Sequence, residues 1–202
     1  VNPDQERGLY IHIPFCRSRC PYCSFYSETG LYLIDEFLDA LARETSEFAG
    51  QGFSTCYIGG GTPSVLSHEQ TERLFGIIRD NFDLGPRAEI TVEVNPDSAS
   101  RELLGTLRDL GVNRLSVGAQ SANESELVML GRRHDVADTI GCLESALAAG
   151  FSNLSLDLIF GFVGQTRNSW EKSLEWASEL PVTHVSTYAL TPHGGVKELP
   201  ED

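Results

Sequence analysis

A chain of 202 residues is long enough to bury one full hydrophobic core. Its formal net charge of −14 excludes non-specific binding of nucleic acid through a basic surface, and no apolar run approaches the length of a membrane span. Five cysteines, an odd number with no secretory signal before Val1, point to a reducing, cytoplasmic compartment.

Strand and helix patterns alternate along the whole chain. Apolar alternation predicts a first strand over Leu9–Phe15, and the spacing of Ile34, Phe37, Leu38 and Leu41 predicts a helix over Leu31–Ala49. A strand over Thr55–Gly59 follows, then a helix over Ser67–Asn81 with Ser67 as its N-cap. The third strand is Glu89–Val94, and Leu103, Leu104, Leu107 and Leu110 mark a helix over Ser100–Leu110 that stops at Gly111. Arg114–Ala119 is the fourth strand, Val136–Ala149 the next helix with Gly150 behind it, and Asn153–Phe160 the fifth strand. A helix over Ser169–Glu179 and a strand over His184–Leu190 complete the series. Strands separated by helices mean βαβ units and a parallel sheet.

The strand faces say how that sheet is shaped. Parallel strands covered on both sides read as nearly continuous apolar runs. Here Leu154, Leu156 and Leu158 oppose Ser155 and Asp157, Ile90, Val92 and Val94 oppose Glu89, Thr91 and Glu93, and Leu9, Ile11 and Ile13 oppose Tyr10 and His12. One face suits packing on helices and the other is polar. Crossover helices of one hand coat one side of a curled sheet, so the polar faces are expected to line a wet lumen that holds a ligand. The expected fold is α/β, an incomplete (β/α)6 barrel of parallel strands with a polar lumen.

Chemistry in parallel α/β barrels sits at the C-terminal strand ends. The first strand delivers Cys16-Arg17-Ser18-Arg19-Cys20-Pro21-Tyr22-Cys23, three cysteines spaced C-x3-C-x2-C. The spacing alone leaves three readings open. A [4Fe–4S] cluster held by three thiolates keeps one iron free for chemistry. A zinc site would need a fourth ligand such as His12, but no second C-x2-C knuckle exists and His12 precedes Pro14 on a strand. A disulfide set is the third. The second strand ends Gly59-Gly60-Gly61-Thr62-Pro63, where backbone can approach a ligand without Cβ obstruction. The third ends in Glu93-Val94-Asn95-Pro96, and the Glu93 carboxylate can accept hydrogen bonds from an ammonium or from ribose hydroxyls. Gln120 closes the fourth strand, Arg132 follows in Leu130-Gly131-Arg132-Arg133-His134, and Asp157 lies on the fifth. Cys56 and Cys142 fall within apolar segments and read as small core residues.

C-x3-C-x2-C with an aromatic before the last cysteine resembles the signature of the radical S-adenosylmethionine superfamily, whose members have this barrel. The resemblance implies a [4Fe–4S] cluster on Cys16, Cys20 and Cys23, with S-adenosylmethionine on the open iron and its sulfonium bond cleaved by an electron from the cluster. It also implies cofactor contacts from Tyr10, from Tyr22 near the adenine, from Gly60, Gly61 and Thr62 at the methionine amino group, and from Glu93. Gln120, Arg132 and Asp157 match residues on a second, substrate-side pocket. The run Tyr10-Ile11-His12-Ile13-Pro14-Phe15-Cys16 with GGGTP, EVNP, NRLSVGAQS and LDLIFG is similar to two sister groups, from about Gly8 to Thr191. These are the oxygen-independent coproporphyrinogen III dehydrogenases and the HemW-type heme chaperones. The dehydrogenases carry a further cysteine two positions after the last ligand, where this chain has Phe25. That favours the chaperone branch, and with it heme or a porphyrin as ligand, heme-acceptor proteins and an electron donor as partners, and membrane contact only through an acceptor. Both groups continue past the sixth strand, so 1–191 is expected to be the core barrel and 192–202 the start of a linker to a C-terminal domain absent from this chain. No heme ligand is assigned among His134, His184 and His193.

Overall fold

A computed structural model describes residues 7–191 of the chain. The expected linker at 192–202, with His193, lies outside the described residues. Among the described residues, six strands are separated by six helices, two of them between the fourth and fifth strands. They are β1 (Gly8–Ile13), α1 (Ile34–Ser46), β2 (Gln51–Gly60), α2 (His68–Asn81), β3 (Phe82–Val94), α3 (Arg101–Asp109), β4 (Arg114–Gln120), α4 (Glu124–Met129), α5 (Val136–Ala148), β5 (Leu154–Phe160), α6 (Arg167–Glu179) and β6 (His184–Ala189).

The sheet order is β1-β2-β3-β4-β5-β6 and every neighbouring pair is parallel. Each crossover therefore moves one strand over in the same direction. Strands added that way curl the sheet and put all helices outside, giving a half-barrel whose open edges are β1 and β6. The outer core is built from the apolar strand faces, with Ile13, Ile58, Leu115, Leu154, Leu156 and Leu158 fully buried against Leu38, Leu74, Leu104 and Leu143 of the helices. Cys56 and Cys142 are in that core as free thiols, each pushed up to about 12 by burial. The opposite faces carry Glu93, Ser116, Gln120 and Asp157, which line one cavity inside the curl.

Differences from the sequence reading have local causes. β1 ends at Ile13, short of Phe15, because Pro14 has no N–H to offer the ladder. β2 and β3 begin well before Thr55 and Glu89: Gln51 pairs with Phe82 and Phe53 with Leu84 ahead of a register shift, under an edge-to-face contact of Phe53 and Phe82 at 5.5 Å. Gly52, Gly85 and Pro86 interrupt the strand pattern in these stretches. Leu31–Leu33 is a 3-10 turn ahead of α1. Helix α4 has only six residues, too few for a periodic signal, and is held by its Asn123 cap. Ser67 caps α2 as expected, with a reciprocal bond from Gln70. Helix α6 starts two residues before Ser169, on a Thr166 cap.

Leu156 sits at the centre of the apolar sheet face with none of its surface exposed. Leu156→Ala is expected to lower unfolding free energy by about 2–5 kcal/mol in urea titration. A loss below about 1 kcal/mol would place the folding core elsewhere.

Candidate functional site

The cysteine loop begins where β1 gives out. Glu28 N–H donates to the Pro14 carbonyl at 2.6 Å, and Cys16 N–H donates to the Glu28 carbonyl at 2.9 Å. These two bonds clip the ends of a loop that carries all three cysteines. Inside it, Cys23 N–H donates to the Cys20 carbonyl at 3.1 Å, turning the C-x2-C pair. All three thiols are free; Cys16 is buried, Cys20 and Cys23 half-buried. Burial pushes the Cys23 thiol up. Among the described residues no three His, Cys, Asp or Glu side chains form a closed set around a single ion.

The glycines that end β2 are spoken for by protein atoms. A Cβ on Gly59 would stand 2.7 Å from the Glu93 carboxyl carbon, and one on Gly61 would stand 2.7 Å from the Phe15 carbonyl oxygen. Gly60 has φ +116°, and a Cβ there would strike the His12 ring at 2.6 Å. This tight packing lets Gly60 N–H donate to Glu93 Oε2 at 3.0 Å, while the Tyr57 hydroxyl donates to Oε1 at 2.8 Å. Glu93 is nonetheless held above the usual carboxylate range, because burial outweighs those two bonds and the nearby His12. Asp157 accepts the Ser116 hydroxyl at 2.9 Å and is pushed up to about 6, first by burial and further by the Glu93 charge, against relief from Ser116, Ser186 and Arg114. Burial, Glu93 and Asp157 together push the Tyr57 hydroxyl up as well.

At the end of β4, Gln120 has φ +72°, and Ser121 N–H donates back to the Ala119 carbonyl at 3.0 Å. That is the rare, strained γ-turn with positive φ. His134 Nε2 donates to the same Ala119 carbonyl at 3.1 Å, and the Ser121 hydroxyl donates to buried Glu126 at 2.5 Å. The surroundings over-determine the turn and aim Gln120 into the cavity. Arg132 uses both arms of its fork: Nη2 donates to Asn95 Oδ1 at 2.7 Å and to the Gly118 carbonyl at 3.0 Å, Nη1 to the Tyr22 hydroxyl at 3.4 Å and to Cys20 Sγ at 3.8 Å. Its Nε–H is buried without a partner. Tyr22 packs on Leu130, Ile159 and Phe162, and burial pushes its hydroxyl far up.

One cavity of about 310 Å³ gathers Cys16, Cys20, Cys23, Tyr22, Gly60, Gly61, Thr62, Glu93, Gln120, Arg132 and Asp157. That volume lies in the range of small-molecule sites. Tyr10 is not in its wall. It is 57% exposed on edge strand β1, with its ring stacked on Tyr57 at 6.1 Å and its hydroxyl 3.0 Å from His12 Nδ1. His12 Nε2 faces the Tyr26 carbonyl at 2.9 Å, an acceptor only, so it carries the ring hydrogen. Arg132, expected on a separate substrate side, stands against Cys20 and ties the cysteine loop to β4. Asn95, Tyr57 and Ser116 went unread as site residues, although Asn95 was visible as a polar residue two positions beyond Glu93 and just before a proline.

A model of the radical SAM superfamily matches residues 10–177. The chain belongs to that superfamily. Membership in the radical SAM superfamily implies a [4Fe–4S] cluster and S-adenosylmethionine, and the site fits both: three free thiols on one clipped loop, facing a cavity walled by backbone and carboxylates. The chain is 42% identical over 196 residues to the heme chaperone HemW of Bacillus subtilis, covering 91% of this chain and 50% of that protein. It is 41% identical over 188 residues to the heme chaperone HemW of Lactococcus lactis, covering 92% and 49%. The solved structure of the radical SAM enzyme coproporphyrinogen III oxidase from Escherichia coli superposes with a TM-score of 0.86 at 34% identity, over 94% of this chain and 45% of that one. The chain thus spans about half the length of the curated relatives it matches.

Asp157 gives the site a pH signature. Its folded value of about 6 lies above its ordinary 3.8, so the folded state holds the proton longer and wild-type stability falls as pH rises through that window. Asp157→Asn is expected to gain stability on wild type as pH rises from 3.8 to about 6, by up to about 3 kcal/mol at 1.36 kcal/mol per pH unit, with the gap constant above that window and closed below it. Urea titrations of both proteins across that range check it, and a pH-independent gap would mean that Asp157 ionises as freely as in water.

Proposed function

We propose that this chain is the cluster- and S-adenosylmethionine-binding barrel of a cytoplasmic heme chaperone, a protein that binds heme and hands it to acceptor proteins. The observation that carries the reading is the convergence of Cys16, Cys20 and Cys23 with Glu93, Gly60 and Gly61 on one cavity at the C-terminal strand ends. Cys16, Cys20 and Cys23 would hold the cluster. When bound, it supplies a single electron to the sulfonium of S-adenosylmethionine. The chain's own part is placement: Glu93 accepts hydrogen bonds from an ammonium or a ribose diol, and the Gly60–Thr62 backbone passes close enough to hold the same end of the ligand. Gln120 and Asp157 present polar groups to the rest of the wall, where a second ligand would lie, and Arg132 joins that wall to the cysteine loop.

Two features favour the chaperone. Phe25 stands where the dehydrogenase branch carries an additional cysteine, and in this chain it is an exposed ring on the cavity wall, suited to a flat apolar macrocycle. The matched chaperones run from 35% to 42% identity, against 34% for the coproporphyrinogen oxidase. The second reading, oxidative decarboxylation of coproporphyrinogen III propionates, is supported by the 0.86 superposition on that oxidase. Either reading requires an electron donor.

Anaerobic reconstitution with iron and sulfide is expected to give a brown protein with about four irons per chain, and Cys20→Ala to abolish it. Stoichiometric zinc with no cluster would sink the reading. Glu93→Gln should leave iron content unchanged and weaken S-adenosylmethionine binding roughly ten- to a hundredfold in calorimetry, from a charge-assisted bond of about 1.5–3 kcal/mol. Heme binding without turnover supports the chaperone, and a vinyl-bearing product from coproporphyrinogen III would replace it with the oxidase.

A further inference from the structure

Three side chains outside the cysteine loop form a hydrogen-bond chain whose direction is fixed at every link. Arg132 can only donate, so the Asn95 atom 2.7 Å from its Nη2 is the amide oxygen. The amide nitrogen of Asn95 then faces Thr62 Oγ1 at 3.1 Å and must donate to it. The Thr62 hydroxyl, having accepted from Asn95, turns its own hydrogen to Cys16 Sγ at 3.5 Å. The other arm of the same guanidinium reaches Cys20 Sγ at 3.8 Å. One residue thus serves two sulfurs, directly at Cys20 and through Asn95 and Thr62 at Cys16. Room for the junction is made by Gly118, where a Cβ would stand 2.9 Å from Asn95 Oδ1 and 3.5 Å from Arg132 Nη2.

We propose that Arg132, Asn95 and Thr62 are a relay that raises the reduction potential of the cluster by donating hydrogen bonds to the sulfurs of Cys16 and Cys20. This rests on the reading above that these thiols hold a [4Fe–4S] cluster. Reduction adds negative charge that spreads onto the sulfurs, so donors and a nearby cation stabilise the reduced form more than the oxidised one. The guanidinium brings both, and links aligned in one direction polarise one another. Asn95 touches neither sulfur; it is a positioning residue that holds both donors.

The test is a redox titration of reconstituted protein without S-adenosylmethionine, following the paramagnetic signal of the reduced cluster. Thr62→Val exchanges a hydroxyl for a methyl group and is expected to shift the equilibrium at least threefold toward the oxidised form, about 28 mV at 59 mV per decade for a one-electron couple. Arg132→Met removes the charge and both arms and should shift it at least tenfold, about 59 mV. Asn95→Ala should lower the midpoint although it contacts no sulfur, which a role confined to holding the loop would not do. If Arg132→Met fails to assemble a cluster, the Thr62→Val and Asn95→Ala midpoints decide. A wild-type protein that builds no cluster overturns the reading beneath this inference. Variants with full iron content and unmoved midpoints overturn the inference alone.

Discussion

The structure depends on the burial of two carboxylates on one face of a parallel sheet. Glu93 and Asp157 both project from strands whose other faces are sealed against helices, and both are half-buried in the cavity wall, partly withdrawn from water. Unpaired buried charge is expensive, so their surroundings are built to relieve it. Gly60 N–H, the Tyr57 hydroxyl and the Ser116 hydroxyl all reach them from neighbouring strands. Those partners are in range because β2 lies beside β3 and β4 beside β5 with their polar residues on one face. The relief is incomplete, since both groups remain above the ordinary carboxylate range. Unrelieved acceptors beside a cavity are what a cationic or hydroxyl-bearing ligand requires.

The cysteine loop meets this wall through a few short-range constraints. Pro14 ends β1, and the carbonyl freed there takes the N–H of Glu28, which draws the loop's far end back to its start. Gly61 lets that loop lie directly on the end of β2, and Arg132 reaches across from beyond β4 to fasten Cys20 and Tyr22. The strain at Gln120 belongs to the same design. A residue in the left-handed region at a strand end is held by His134, Ser121 and Glu126 behind it, so that its side chain enters the cavity.

Much of this was legible in the sequence because alternation has a single structural meaning. Strands with one apolar and one polar face could satisfy themselves only around a wet lumen, while the cysteine spacing alone left cluster, zinc and disulfide open. Legibility failed where a residue acts by geometry. Nothing about Asn95 in sequence marks it as the junction between Thr62 and Arg132, because that role depends on three strand ends meeting. Arg132 read as a substrate residue since its distance from Cys20 along the chain hides their contact. The early parts of β2 and β3 were lost to glycine and proline punctuation, and α4 to its length. The glycine run was legible as a close approach, but in the fold each glycine first accommodates Glu93, His12 or Phe15. Among the described residues no helix is long and apolar enough to cross a membrane.

The central claim is that three thiols and the carboxylate-lined cavity form one site, with an open iron facing the ligand space. Mössbauer spectroscopy of protein reconstituted with enriched iron, recorded before and after adding S-adenosylmethionine, tests this most directly. The account predicts that one iron of the cluster changes its signature on addition while the other three do not. A spectrum indifferent to S-adenosylmethionine, or one in which all irons are equivalent and remain so, would contradict it.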